Sequence, residues 1–73
     1  MASDTDLNRQ LSALSDRERQ ITKLACDGLS NKAIASQLDL SEGTVKIHLH
    51  NIYKKLRVDS RIVLAAALRT FFD

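Results

Sequence analysis

Residues 41–57 limit the folds open to this chain more than any other stretch. On a helix, at about 100° per residue, the apolar side chains of this stretch fall into one narrow stripe and the polar ones into another. The apolar stripe consists of Val45, Leu49, Ile52 and Leu56. The pattern predicts a helix over 42–57 with one side on a hydrophobic core and the other side open to a partner.

The positive charge of the chain is concentrated in the same stretch. The net charge of the whole chain is only +2, but residues 41–57 contain four basic side chains and one acidic side chain. Residues 1–40 have a net charge of −1, and the charges of residues 58–73 cancel. A cationic helix face of this kind favours a partner with negative charge.

Length and composition indicate one small all-helical domain. The 73 residues are sufficient for a single core, and 44% of them are hydrophobic while only 4% are aromatic. Proline is absent, glycine occurs twice, and no stretch alternates apolar and polar residues, which favours an all-α fold. Residues 1–12 are interpreted as a flexible leader or linker. Leu11 and Leu14 are expected at the edge of the core. The domain is predicted over 13–73.

A capping box marks the start of the first predicted helix. The hydroxyl of Ser15 can accept a hydrogen bond from the first turn while Glu18 reaches back to the Ser15 N–H. We expect this helix to end near Asp27, where Gly28 follows as a residue able to adopt a positive φ angle.

Two further serines define a helix-turn-helix unit. Ser30 caps a predicted helix from 31 to about 38, and Ser41 caps the cationic helix about three residues later. In such a unit the second helix enters the DNA major groove. Gly43, in the first turn of that helix, is either tolerated without a role or leaves room for another surface.

The last predicted helix, from 61 to about 71 after the cap Ser60, is apolar on nearly every side. One side must complete the core, and the rest predicts an exposed apolar patch that could bind a partner. The predicted contact group is Val63, Leu64 and Ala67. Alternatively, the patch is only half exposed, or residues 1–14 cover it.

Four motifs follow one another along the chain. They are LSDRE at 14–18, GLSNKAIA at 28–35, LSEGTVKIH at 40–48 and KLRV at 55–58. Together they resemble the LuxR-type helix-turn-helix domain, which occurs in NarL/FixJ response regulators, in quorum-sensing activators and in the small regulator GerE. The resemblance covers about residues 12–72. It implies an all-α, four-helix fold in which the third helix is the recognition helix in the DNA major groove.

Candidate DNA contacts follow from the resemblance and from side-chain chemistry. By position, the base-facing residues are Lys46, Ile47 and His50, and the backbone contacts or their neighbours are Thr44, Asn51, Lys54 and Lys55. A lysine can donate to guanine, and an exposed isoleucine can contact a thymine methyl group, whereas lysines further along the helix suit phosphates. Asn31 and Lys32 open the preceding helix, whose N-terminal N–H groups can bind a phosphate.

The sequence predicts neither an enzyme nor a bound metal or cofactor. His48 and His50 point about 160° apart on a helix and cannot share an ion. Cys26 cannot form an internal disulfide and is interpreted as a small core residue, with a redox role as the lesser alternative. No nucleophile motif, phosphate-binding loop, signal peptide or long apolar span is present. We therefore expect a cytoplasmic protein that does not use a membrane as partner.

The predicted function is sequence-specific binding of double-stranded DNA by the output domain of a bacterial transcriptional regulator. The resemblance favours a two-component response regulator, allows a quorum-sensing regulator, and places signal input in an N-terminal domain outside this sequence. It also implies a homodimer through the last helix on DNA, and RNA polymerase is a further partner that it allows. The competing hypothesis is a helical protein-interaction module in which residues 41–57 bind an acidic protein.

Overall fold

A computed structural model describes residues 9–68 as a series of helices. A helical turn at 9–12 precedes four longer helices. These are α1 (Asp16–Cys26), α2 (Asn31–Leu38), α3 (Glu42–Leu56) and α4 (Arg61–Leu68). The described residues contain no strand, so the predicted all-α class is confirmed. The predicted continuation of the last helix over 69–71, like residues 1–8 of the predicted leader, lies outside the described residues.

The core forms where α3 packs against α1 and α2, while α1 also packs against α4. All four residues of the predicted stripe on α3 are buried, which confirms both the helix and its inward face. The other buried apolar residues are Leu14, Ile21, Ala25, Ile34, Ala35, Leu64 and Leu68. Leu11 packs against this core from the helical turn at 9–12, so the packed domain includes part of the predicted leader.

The inward side of α4 differs from the prediction at one position. Leu64, which we assigned to a partner-binding face, is fully buried in the core together with Leu68, one helical turn later. These two side chains are the buried residues of α4, and burying each of them contributes about 1.5–3 kcal/mol. The assignment of Leu64 to an intermolecular contact was therefore wrong.

The three joints between successive helices share one backbone design. One or two residues after each helix, the chain adopts a positive φ angle: 92° at Gly28, 58° at Asp39 and 57° at Arg57. The next residue is apolar, packs against the core, and donates its N–H to the carbonyl five residues earlier: Leu29, Leu40 and Val58. This is the Schellman ending of a helix. It turns the chain sharply and satisfies carbonyl groups that the helix leaves free.

Serine caps then start each of the following helices. The hydroxyls of Ser30, Ser41 and Ser60 accept from the backbone N–H three residues later, at 3.1, 3.1 and 3.2 Å. The predicted capping box of α1 is also confirmed. The Glu18 N–H donates to Ser15 Oγ at 3.1 Å, and the Ser15 N–H donates to Glu18 Oε1 at 2.8 Å. Only three residues, 39–41, separate α2 from α3, as in a helix-turn-helix unit.

Candidate nucleic-acid interface

The outer face of α3 is the most cationic exposed helix face in residues 9–68. The exposed residues on this side, after the first turn, are Lys46, Ile47, His50, Asn51, Lys54 and Lys55. The one acidic residue of α3 is Glu42 in its first turn, where a negative charge suits the helix dipole. Ile47 is 65% exposed although it is a large apolar residue. An apolar side chain flanked by cationic and polar groups matches the chemistry of a base-contacting surface.

The start of α3 is held by a small hydrogen-bond cluster. Ser41 Oγ accepts from the Thr44 N–H, and the two hydroxyls of Ser41 and Thr44 lie 2.9 Å apart in a further hydrogen bond. These bonds stabilise the first turn of α3, directly before Lys46 and Ile47. The predicted DNA contact of Thr44 would use a hydroxyl that already has one partner.

A groove of about 280 Å³ brings three predicted DNA-contact residues onto one concave surface. It lies between α3 and the first residues of α2 and α4, and its walls are Asn31, Lys46, Leu49, His50, Tyr53 and Arg61. Asn31 of α2 thus faces the same space as Lys46 and His50 of α3. Lys32, the next residue of α2, is exposed. The Ala33 N–H donates a hydrogen bond to Ser30 Oγ. The N–H groups before it, at the start of α2, have no partner within the helix and can donate to an anion.

Arg61 is a residue of this groove that sequence reasoning missed. Its guanidinium donates to the carbonyl oxygen of Leu29 and to Oδ1 of Asn31. No local pattern could have revealed these bonds, because thirty residues separate Arg61 from Asn31. The only sequence signal was the position of Arg61 directly after the Ser60 cap, at the start of a helix.

Lys55 contacts the start of α1. Its Nζ lies 2.7 Å from Oε1 of the buried Glu18 and 3.3 Å from the carbonyl oxygen of Ala13. Burial tends to raise the pKa of Glu18, but hydrogen bonds from Lys55 and Ser15 and the charge of Lys55 outweigh this effect, so the pKa lies below its usual 4.5. The bonds of Lys55 therefore tie the end of α3 to the capping box of α1. Lys54 is exposed on the same face, but its amine is not tied to α1 in this way.

Gly43 leaves open space at the start of α3. A Cβ atom at this position would meet only Ser41 Oγ, at 3.9 Å, which is an ordinary van der Waals distance. Crowding within the domain is therefore not the reason for a glycine here. The two interpretations of Gly43, a tolerated residue or room for an external surface, both remain compatible with this geometry.

Cys26 and the residue types that bind metal ions are the remaining candidates for chemistry. Cys26 is half-buried and packs against the core, and burial together with the neighbouring Asp27 raises the pKa of its thiol, which disfavours the reactive thiolate. Within residues 9–68, no three His, Cys, Asp or Glu side chains are grouped so that they could hold a metal ion. None of the helices in that range has the length and apolar character needed to cross a bilayer.

Known proteins are similar to this chain in sequence and in fold. Residues 12–68 match the family described as bacterial regulatory proteins, luxR family. The nitrate/nitrite response regulator protein homolog of Haemophilus influenzae is 45% identical over 69 residues, which are 94% of this chain and 32% of that protein. NarL, the nitrate/nitrite response regulator of Escherichia coli K12, is 42% identical over 64 residues, 88% of this chain and 30% of NarL.

A solved structure extends the likeness to three dimensions. The structure of the response regulator StyR superimposes with a TM-score of 0.84 at 41% sequence identity, and the match covers 90% of this chain and 33% of StyR. The response regulator TmoT of Ectopseudomonas mendocina is 46% identical over 56 residues, 77% of this chain and 26% of TmoT. The chain thus spans about a third or less of the length of these relatives.

Proposed function

This chain belongs to the luxR family of bacterial regulatory proteins and is a DNA-binding helix-turn-helix domain, and we propose that it recognises duplex sequences through the outer face of α3. The observation that carries the proposal is the exposed row of Lys46, Ile47 and His50 on a helix whose opposite side is buried. Such a helix fits the major groove, and these three side chains are positioned to contact base edges.

The remaining predicted contacts are proposed to position the domain on the DNA backbone. Lys54 and Asn51 lie further along the exposed face of α3, and Lys32 and the free N–H groups lie at the start of α2. Contacts of this kind neutralise or bind phosphate oxygens without distinguishing bases. Lys55 is assigned a different role, because its amine already binds Glu18 and the carbonyl of Ala13.

We further propose that the chain is the output part of a two-component response regulator. Its relatives are named as response regulators, and it covers only about a third of their length. Signal input would then belong to another part of such a protein, and RNA polymerase is a proposed partner on DNA. The family is a class of regulators rather than of enzymes, and we propose that this domain acts in the cytoplasm by binding alone.

The outer face of α4 is proposed to bind a second copy of the chain on DNA. Ile62 is 82% exposed and Val63 is 43% exposed, and Ala66, on the next turn, is also exposed. Ala67 of the predicted contact group is half-buried and packs against the core, so it can contribute only its outer edge. The patch is small compared with stable interfaces of about 1,200–2,000 Å². We therefore expect pairing when two domains occupy neighbouring half-sites.

Salt dependence tests the proposed DNA binding. The 73-residue chain would be titrated against a labelled duplex at several salt concentrations. The logarithm of the association constant should fall with the logarithm of the salt concentration, by a slope of about 0.9 for each phosphate neutralised. Lys54→Ala should weaken all duplexes and reduce that slope by about one unit.

A matched control is available on α1. Lys23 is also an exposed lysine, but it pairs with Asp27 away from the outer face of α3, so Lys23→Ala should leave the slope nearly unchanged. The competing hypothesis predicts that an acidic protein binds residues 41–57 and that duplex DNA does not displace it. Absence of salt-dependent duplex binding by the unmodified chain would rule out the proposed function.

A further inference from the structure

The first residue of α4 forms a hydrogen bond with the first residue of α2. Arg61 donates one N–H to Oδ1 of Asn31 and another to the carbonyl oxygen of Leu29, the residue before the Ser30 cap. Arg61 therefore fixes both the backbone that leads into α2 and the side chain that opens it. Neither bond buries apolar surface, a role that Leu64, Leu68 and the inner edge of Ala67 fill in α4.

The chemistry of the two groups sets the orientation of the Asn31 amide. A guanidinium has only N–H donors, whereas an asparagine amide has one acceptor oxygen and a pair of N–H donors. The oxygen of Asn31 must therefore face Arg61. The N–H₂ group cannot donate to Arg61, because a guanidinium has no acceptor. It is therefore free to donate to another acceptor.

The surroundings of Asn31 indicate what that acceptor is. Asn31 lines the same groove as Lys46 and His50, and it is the first residue of α2, where the first N–H groups of a helix have no partner within the helix. All of these groups suit an anion that only accepts hydrogen bonds, as a phosphate oxygen does. An amide rotated by 180° would instead present its oxygen to that anion and repel it.

We propose that Arg61 is a positioning residue for DNA binding: it holds the Asn31 amide with its N–H₂ group toward a backbone phosphate and does not itself contact the phosphate. This inference rests on the proposed DNA binding of the domain. It gives Arg61 an effect on affinity although the guanidinium is engaged within the protein. It also links α4, which carries the proposed contact with a second copy, to a DNA contact of α2.

A double-mutant cycle separates positioning from direct contact. The affinity of the full chain for a fluorescein-labelled duplex of random sequence would be measured for Arg61→Ala, Asn31→Ala and the double variant. Each single change should weaken binding by about tenfold, the effect of losing one hydrogen bond to a charged group. The double variant should bind no more weakly than either single variant, because both changes remove the same contact.

A conservative variant and a control variant separate the positioning role of Arg61 from the effect of its charge. Arg61→Lys should restore part of the affinity, because an ammonium group can still donate to Oδ1 of Asn31. The salt slope should be the same for Arg61→Ala and the unmodified chain, since no phosphate charge contact is lost. Arg19→Ala removes an exposed cation from α1 and should show the effect of net charge alone.

Distinct outcomes decide between the inference and the proposed function. Losses that multiply to about a hundredfold in the double variant would mean that Arg61 acts independently of Asn31. A salt slope reduced by about one in Arg61→Ala would mean that Arg61 binds phosphate directly. Either result overturns the inference. Unchanged affinity in Arg61→Ala would overturn it as well. Failure of the unmodified chain to bind any duplex would overturn the proposed function and the inference with it.

A measurement on the unmodified chain covers the case in which Arg61→Ala does not fold, as circular dichroism would reveal. The side-chain N–H₂ signals of Asn31 would be followed by ¹⁵N NMR while the random duplex is added. A large shift of these signals, present also in Arg61→Lys, is the result expected for an amide that donates to a phosphate. Signals that do not move while the duplex binds would overturn the inference.

Discussion

The outer faces of α3 and α4 are exposed on the same small core but differ in chemistry. The outer face of α3 carries cationic and polar side chains around one apolar residue, Ile47, whereas that of α4 presents Ile62, Val63 and Ala66. A polyanion suits the first surface and an apolar protein surface suits the second. One small domain therefore carries two chemically distinct exposed surfaces on separate helices, one suited to a polyanion and one suited to contact with a protein.

The buried faces of the two helices also differ in how clearly the sequence defines them. Four apolar residues at helical spacing face the core from α3, and polar residues fill the opposite side. In α4 the apolar residues surround the helix, so packing against the core, chiefly against α1, separates the buried Leu64 from the exposed Ile62. The inner and outer sides of α4 are thus defined by tertiary contacts.

The largest expected effect separates those two sides of α4. Leu64→Ala should lower the free energy of unfolding by about 2–5 kcal/mol, because it leaves a cavity in the core. Ile62→Ala should change it by no more than about 0.5 kcal/mol, since Ile62 is exposed. Urea denaturation followed by circular dichroism measures both. A similar loss for the two variants would contradict the packing of α4.

The next largest effect distinguishes two lysines on the outer face of α3, Lys46 and Lys54. Lys46→Ala should reduce discrimination at one or two base pairs by about 1–3 kcal/mol, the contribution of a bidentate contact to guanine. Lys54→Ala should weaken specific and random duplexes alike. Competition binding with a selected duplex and single-base variants provides the measurement. Equal losses on specific and random DNA for Lys46→Ala would exclude a base-contacting role.

A smaller effect distinguishes Lys55 from its exposed neighbour Lys54. Lys55→Ala should lower the free energy of unfolding at neutral pH by about 1–2 kcal/mol, because it leaves the buried Glu18 carboxylate without its cation; partial exposure of Lys55 keeps the effect below that of a fully buried pair. Lys54→Ala should have little effect on stability. Equal stability of the two variants in urea denaturation would contradict the anchoring role of Lys55.

The ion pair of Lys55 and Glu18 also predicts how the stability of the fold changes with pH. The pKa of Glu18 is lowered in the folded domain from its usual 4.5, so the unfolded chain takes up more protons as the pH falls below about 5. The pair therefore stabilises the fold above that range, and this stabilisation is lost as the pH falls through the folded-state pKa. Glu18→Gln should flatten the acid side of the stability profile. An unchanged profile would exclude Glu18 as its cause.

The smallest effect concerns Gly43. Gly43→Ala should stabilise the domain by about 0.5 kcal/mol, since alanine favours the helix and its Cβ has room. Thermal unfolding measures this gain. DNA affinity measured on the same variant separates the two interpretations of Gly43: a loss indicates close approach of the DNA, and no change indicates a tolerated residue. A destabilised variant would contradict the open space at this position.

Much of the fold could be predicted from the sequence because its signals are local. Serine caps, the capping box at Ser15 and the stripe of α3 each depend on residues within one or two helical turns. The left-handed conformation was predicted at Gly28 alone, although Asp39 and Arg57 share it. At those two joints the signal was not a glycine but an apolar residue shortly before a serine cap: Leu40 directly before Ser41, and Val58 two residues before Ser60. Only the comparison of all three joints reveals it.

The parts of the site that escaped prediction depend on contacts distant in sequence. Lys55 resembled a phosphate-binding lysine because nothing near it in the chain indicates Glu18, 37 residues earlier. Arg61 and Asn31 likewise meet only in the folded domain. Leu64 was misplaced for a different reason: in a helix that is apolar all round, periodicity contains no information about which side is buried.

The most direct test of the account compares one-site and two-site duplexes for two variants. Binding of the unmodified chain, Lys54→Ala and Ile62→Glu would be measured on selected duplexes that contain one or two half-sites. We predict that Lys54→Ala weakens binding to both duplexes, whereas Ile62→Glu keeps its one-site affinity and loses cooperativity on two sites. Cooperative binding of two sites by Ile62→Glu would contradict the proposed contact through α4. A loss of one-site affinity in Ile62→Glu as strong as in Lys54→Ala would contradict the separation of the two surfaces.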